Sequence, residues 1–141
     1  MDIRVITDRY AVSPQIEPGD VAELKDAGFT TVICNRPDPE VPVELQAAAI
    51  QAAVEAAGLH FVLNPVVHGQ LTQDILDVQG TAIDEASGKC FAYCASGNRS
   101  TVVWALANAG RIPTEQIIAA GEAAGYQIEK MRDQLEMLAG G

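Results

Sequence analysis

The feature that most constrains this chain is the alternation of two hydrophobic periods along it. Thr30-Thr31-Val32-Ile33-Cys34 is a continuous β-branched run, the pattern of a buried strand. It is followed by an Ala-rich helical stretch, with Pro42 in its first turn, that runs to Ala57 and stops at Gly58. Leu59 to Leu63 reads as a second strand, Leu71 to Ala86 as a helix with Thr72 near its cap, and Lys89 to Tyr93 as a third strand. A helix from about Arg99 to Asn108 comes next, then two more, Thr114 to Ala124 and Gln127 to Leu138. Ahead of all these stand two short extended pieces, Ile3 to Thr7 and Tyr10 to Ser13. Pro18-Gly19-Asp20 then opens a helix with Asp20 as its N-cap, Val21, Leu24 and Ala27 on one face, and Gly28 at its end.

Strand and helix in regular alternation specify an α/β fold with a mainly parallel central sheet. The 141 residues suit a single domain, 1-141, with helices on both faces of the sheet. Ligands of such sheets bind beyond the carboxyl ends of the strands. Three loops lie there: Asn35 to Pro39, Asn64 to Gln70, and Cys94 to Arg99.

Composition removes several function classes. A formal net charge of −10 argues against nucleic acid or an anionic membrane as partner, and any anionic substrate must be held by local donors. The apolar content of 48% is broken by polar residues and glycine, so no transmembrane helix is expected. The start, Met1-Asp2-Ile3-Arg4, lacks the basic and apolar regions of a signal peptide, and a cytoplasmic location is the expectation. Three cysteines are too few for a disulfide framework. Cys90 and Cys94 lie roughly 13 Å apart if both sit on one strand, too far to bridge. With two histidines and no Cys-x-x-Cys, neither a structural zinc nor any other cofactor is implied.

The chemistry concentrates in Cys94-Ala95-Ser96-Gly97-Asn98-Arg99-Ser100. The third strand delivers Cys94 to the sheet edge, where the following helix presents unpaired N–H groups that favour a thiolate. The small residues Ala95, Ser96, Gly97 and Asn98 let the backbone curl so that its amides converge on one anion. Gly97 supplies a backbone conformation closed to other residues. Arg99 adds a planar charged fork, and Ser100 can donate a hydrogen bond to the Cys94 sulfur. Cys94, Arg99 and Ser100 are therefore the candidate catalytic residues. Arg36, on a neighbouring strand-end loop, is a candidate substrate contact, the alternative being a surface arginine paired with Asp38.

Tyr93-Cys94-Ala95-Ser96-Gly97-Asn98-Arg99-Ser100 resembles the active loop of rhodaneses and tyrosine-phosphatase-type enzymes. Ala11-Val12-Ser13-Pro14-Gln15-Ile16, Thr31-Val32-Ile33-Cys34-Asn35-Arg36-Pro37-Asp38 and Asn64-Pro65-Val66 extend the likeness to about Asn108. Together they resemble the bacterial family of the beta-lactamase-hydrolase-like protein, phosphatase-like domain. The resemblance implies a tyrosine/dual-specificity-phosphatase-like fold and a cysteine-dependent enzyme, in a family linked both to phosphatases and to sulfur transfer.

Two features lean toward sulfur. Four residues separate Cys94 from Arg99, as in small rhodaneses, whereas phosphatases of the resembling class usually place one more. Phosphatases also need a general acid for the leaving group. The matching loop, Asn64 to Gln70, carries no carboxylate, its one titratable residue being His68. The leading expectation is thus a sulfurtransferase that carries sulfane sulfur as a persulfide on Cys94 between a small-molecule donor and a thiol acceptor. Ala95 cuts against it, since many rhodanese loops place an arginine there. The alternative is a tyrosine/dual-specificity-type phosphatase that takes a phosphorylated substrate through a phosphocysteine. A third reading is a non-catalytic anion-binding module. Cys34, at its own strand end, is either a resolving thiol or a core residue. Cys90, Trp104 and Tyr93 read as packing, and His60 carries no strong signal.

Overall fold

The structure, a computed structural model, describes residues 1–140. The described residues form one five-stranded sheet flanked by six α-helices. In chain order these are β1 (Arg4–Thr7), β2 (Tyr10–Ser13), α1 (Val21–Asp26), β3 (Phe29–Cys34), α2 (Ala47–Ala56), β4 (His60–Leu63), α3 (Gln73–Glu85), β5 (Lys89–Tyr93), α4 (Asn98–Ala107), α5 (Thr114–Ala123) and α6 (Arg132–Gly140). The strand order is β1-β2-β5-β3-β4. Pairings β2–β5, β5–β3 and β3–β4 are parallel, and β1 joins β2 antiparallel. The expected α/β class and mainly parallel sheet are therefore present, with β1 as an antiparallel edge.

Alternation along the strands divides the core in two. Cys90 and Ala92 of β5 join Tyr10, Val12, Ile33, Trp104, Ile117 and Leu135 on the face covered by α3 to α6. Phe91 and Tyr93 join Ala11, Val32, Cys34, Leu24, Ile50 and Val54 under α1 and α2. β5 lies between β2 and β3 and is buried from Cys90 to Tyr93, as an apolar strand covered on both faces must be. Its central position places the next residue, Cys94, in the middle of the carboxyl edge.

The starts of α2 and α6 depart from expectation. α2 begins at Ala47 rather than at Pro42, which instead precedes a short 3₁₀ turn over Val43–Leu45. The first amide of α2, from Ala47, donates to Asp38 Oδ1 at 2.8 Å, so a loop carboxylate nine residues back does the capping. Asp20 stands at the N-cap position of α1, as expected, but its side chain makes no cap bond to that helix; it accepts from the Glu17 amide at 2.9 Å across a 3₁₀ turn. The last helix starts at Arg132, because residues 127–131 form a turn ending in 3₁₀ geometry. No helix among the described residues is long and apolar enough to cross a membrane.

Candidate active site

The Cys94 loop turns from β5 directly into α4. Gly97, the residue before α4, has φ of +94°, a left-handed conformation that favours glycine. That turn carries the Gly97 amide back over the strand end, where it donates to Cys94 Sγ at 3.1 Å. Cys94 is wholly buried and forms the floor of the loop, while Ala95, Ser96 and Asn98 form its exposed rim. The Ser96 hydroxyl accepts from the Asn98 amide at 3.2 Å. Thr101 ties down the first turn by donating to the Gly97 carbonyl through its amide and, at 2.8 Å, through its hydroxyl. The sulfur thus faces a backbone donor at the amino end of a helix, a setting that favours an anion.

Arg99 lies in the first turn of α4 and is only 6% exposed. Its Nη1 donates to Glu40 Oε2 at 2.8 Å and to the Val66 carbonyl at 2.9 Å, and its Nη2 donates to Glu40 Oε1 at 2.7 Å. A guanidinium has five N–H donors in a fixed fork. The end of the fork is therefore committed to Glu40 and Val66, while Nε–H and the second Nη2–H, on the other edge, are used by neither, and the Cys94 sulfur lies near the guanidinium. The Arg99 guanidinium is held above its ordinary value, chiefly by the bonds to Glu40, with burial opposing and the nearby Cys94 sulfur contributing. Glu40 is pulled down to about 2 by Arg99 first and Arg36 second, against the effect of burial.

Glu40 was not among the sequence candidates. It ends the short 3₁₀ turn Asp38–Glu40 in the loop after β3. Arg36 pairs with this same carboxylate, Nε to Oε1 at 3.1 Å, and not with Asp38, which is occupied at the start of α2. Arg36 and Arg99 therefore share one carboxylate at the edge of the loop.

Ser100 does not donate to the Cys94 sulfur. Its hydroxyl donates to Asn35 Oδ1 at 2.9 Å, and its carbonyl accepts from the Tyr10 hydroxyl at 2.7 Å. Asn35 Nδ2 donates to Gln79 Oε1 and to the Asn64 carbonyl, and Asn64 Nδ2 also donates to Gln79 Oε1, all at 2.9 Å. Gln79 Nε2 donates to the Tyr10 hydroxyl at 3.0 Å. This buried network joins the ends of β3 and β4, the middle of α3 and the start of β2 to the first turn of α4. Every link is a hydrogen bond, so the polar groups are satisfied without water and hold the helix start in place.

Other sequence candidates fall elsewhere. Cys34 is buried with Tyr93 under α1 and α2, and its thiol contacts the Arg36 carbonyl at 3.4 Å; burial pushes it up. Cys90 is core, pushed up to about 12 by burial. All three cysteines are free thiols. His68 and His60 are exposed. A half-open cavity of about 700 Å³ between α3 and the β3–β4 side of the sheet, with His60, Val62, Asp77 and Glu85 on its walls, contains no residue of the Cys94 loop.

Residues 2–111 match the family described as beta-lactamase hydrolase-like protein, phosphatase-like domain. Three curated relatives carry the name beta-lactamase hydrolase-like protein. That of Xylella fastidiosa (strain 9a5c) is 30% identical over 138 residues, covering 96% of this chain and 32% of the relative. That of Agrobacterium fabrum is 29% identical over 125 residues, covering 87% of this chain and 29% of the relative. The chain thus spans about a third of the length of the curated relatives it matches. Among solved structures, a Neisseria meningitidis protein provisionally assigned as a phosphatase superposes with a TM-score of 0.83 at 29% identity, covering 98% of this chain and 99% of that one. The active form of Tk-PTP gives 0.69 at 17% identity, covering 98% and 96%. Pseudomonas aeruginosa TpbA, in complex with pTyr, gives 0.65 at 15% identity, covering 98% and 88%. The last two likenesses concern the fold alone. With the family match over residues 2–111, the chain belongs to the family of the beta-lactamase hydrolase-like protein's phosphatase-like domain.

Proposed function

We propose that this chain is a cysteine-based phosphatase-type hydrolase acting on aryl phosphate monoesters, with Cys94 as nucleophile. The observation that carries the reading is the pairing of a backbone donor on the Cys94 sulfur with an arginine fork whose other edge has two parallel donors. A two-donor edge suits two oxygens of a tetrahedral oxyanion. The family match and the phosphatase neighbours support the same choice, including the neighbour solved with pTyr. They reverse the order of the sequence expectation, which put sulfur transfer first. Loop length and the missing acid were its grounds; the Arg99 fork weighs on the other side.

In the first step the Cys94 thiolate forms an S–P bond as the ester P–O bond breaks, and the electron pair leaves with the aryloxide. Gly97 N–H stabilises the thiolate before it attacks and when it departs, and Arg99 stabilises charge on the transferring group. Water then attacks phosphorus, the S–P bond breaks, and thiolate and inorganic phosphate are released. Glu40, held near 2, is ionised at neutral pH and cannot protonate a leaving group; its part is to hold Arg99. The Asn64–Gln70 loop offers no carboxylic acid either. The enzyme therefore favours leaving groups that depart without strong acid assistance, phenolates before alkoxides. The test compares p-nitrophenyl phosphate, phosphotyrosine and phosphoserine. Rates falling in that order, and lost in Cys94→Ser, agree with the reading. Phosphoserine hydrolysed as fast as phosphotyrosine contradicts it.

One observation favours a second reading. The gap of four residues between Cys94 and Arg99 makes a small loop with its floor at the sulfur. That geometry suits a persulfide on Cys94, formed by thiolate attack on a sulfane sulfur with the donor leaving as its anion. Gain of one sulfur atom by Cys94 on exposure to glutathione persulfide, without phosphatase turnover, favours it.

A further inference from the structure

We propose that Tyr126 is a positioning residue for the reactive cysteine, acting through the Ser96–Gly97 peptide. This rests on Cys94 being the reactive thiol but not on which group it transfers. Tyr126 lies beyond the family match at residues 2–111, in the turn after α5. Its hydroxyl donates to the Ser96 carbonyl at 3.0 Å. The amide of that same peptide unit, Gly97 N–H, donates to Cys94 Sγ at 3.1 Å. A trans peptide is planar, with its C=O and N–H pointing in opposite directions. Binding the oxygen on the outside therefore aims the hydrogen at the sulfur on the inside. Rotating the peptide to withdraw the donor from Cys94 also breaks the bond to Tyr126. The opposite orientation, a carbonyl dipole facing a thiolate, is the arrangement Tyr126 disfavours.

Tyr126 is itself held firmly. It is 6% exposed, and its amide donates to the Gly121 carbonyl at 3.0 Å. The Arg4 guanidinium lies 5.3 Å from its ring centre and also donates to the Ala124 carbonyl. Behind Gly97 the ring leaves no space: a Cβ built there would lie 2.1 Å from the Tyr126 hydroxyl oxygen. The C-terminal segment thus backs the loop from outside while β5 supports it from below. Burial pushes the Tyr126 hydroxyl up, so it remains a donor at neutral pH.

The test is Tyr126→Phe in the full chain, which keeps the ring and removes the donor. Thiolate absorbance of Cys94 is followed against pH as the difference between each protein and its Cys94→Ser counterpart, a readout that needs neither turnover nor reagent access. Arg99 on α4, Cys34 on β3 and Tyr10 on β2 are the other ionisable groups near the sulfur, and all remain in the variant. The profile is expected to move to higher pH by about fivefold in proton concentration, the factor carried by one hydrogen bond's net worth, at a nearly unchanged thermal midpoint. A profile coincident with wild type overturns the proposal. So does a fall in thermal midpoint with no movement of the profile, which marks a purely structural role. A chain that titrates as stated yet hydrolyses no phosphate monoester fails as a phosphatase while Tyr126 keeps its role.

Discussion

Replacing Glu40 with glutamine tests how Arg99 is held. Glutamine keeps the shape but offers one acceptor oxygen, and its amide group faces an arginine N–H. Of the three bonds that fix the guanidinium, the Val66 carbonyl at 2.9 Å survives intact, one bond to residue 40 weakens and one is lost. Breaking a buried charged pair costs about 3–5 kcal/mol. The Glu40 side chain is 34% exposed, so water screens it and the loss falls to about 1–2 kcal/mol. If that loss appears in the transition state, kcat/KM falls about five- to thirtyfold. The assay is steady-state hydrolysis of p-nitrophenyl phosphate by wild type and Glu40→Gln, with inorganic phosphate as product inhibitor. Glu40→Asp, which keeps the charge, is expected to recover part of the loss. A Glu40→Gln enzyme with undiminished kcat/KM and tighter phosphate inhibition refutes the reasoning. That result makes Glu40 a competitor for Arg99 rather than its support.

The same ion pair predicts acid behaviour. Glu40 sits near 2 in the folded chain against an ordinary 4.5, so its contribution to stability is complete above about 4.5 and is lost as pH falls toward 2. Urea midpoints measured down that range should fall less steeply in Glu40→Gln than in wild type; parallel curves contradict the assignment. Gly97→Ala places a methyl group against the Tyr126 hydroxyl at a position with φ of +94°, so at least a tenfold loss of activity is expected from kinetics, and full activity tells against the loop geometry. Gln79→Leu leaves one N–H of the Asn35 side-chain amide and one of the Asn64 side-chain amide without an acceptor, at about 1–3 kcal/mol for each unsatisfied group. Its urea unfolding free energy should drop by about 2–4 kcal/mol, and a neutral result means the network is not what holds α4.

The sheet and the reactive loop were legible because both depend on local pattern. β3 and β5 are short apolar runs between turn residues, and Cys94 follows one of them directly into a helix. What escaped was partnership across long sequence separation. Asp38 and Glu40 look alike in a loop beside Arg36. Only the 3₁₀ turn decides that Asp38 caps α2 while Glu40 turns toward Arg99, 59 residues on. Ser100 is expected to donate to the Cys94 sulfur, but Asn35, from another strand end, accepts its proton instead. Gln79 left a usable trace: it lies on the stripe of α3 that includes Leu76 and Ile83, where a polar residue signals a buried network. Tyr126 left none, because its role is fixed by how the final turn packs on Gly97.

The central claim is that Cys94 carries a phosphoryl group during turnover. Rapid acid quenching of the enzyme with p-nitrophenyl phosphate, followed by mass spectrometry of the peptide containing Cys94, tests it directly. One phosphoryl group is expected on Cys94, absent in Cys94→Ser and not transferred to Cys34 or Cys90. An unmodified Cys94 peptide during active turnover contradicts it, as does a thiol that gains only sulfur from a persulfide donor.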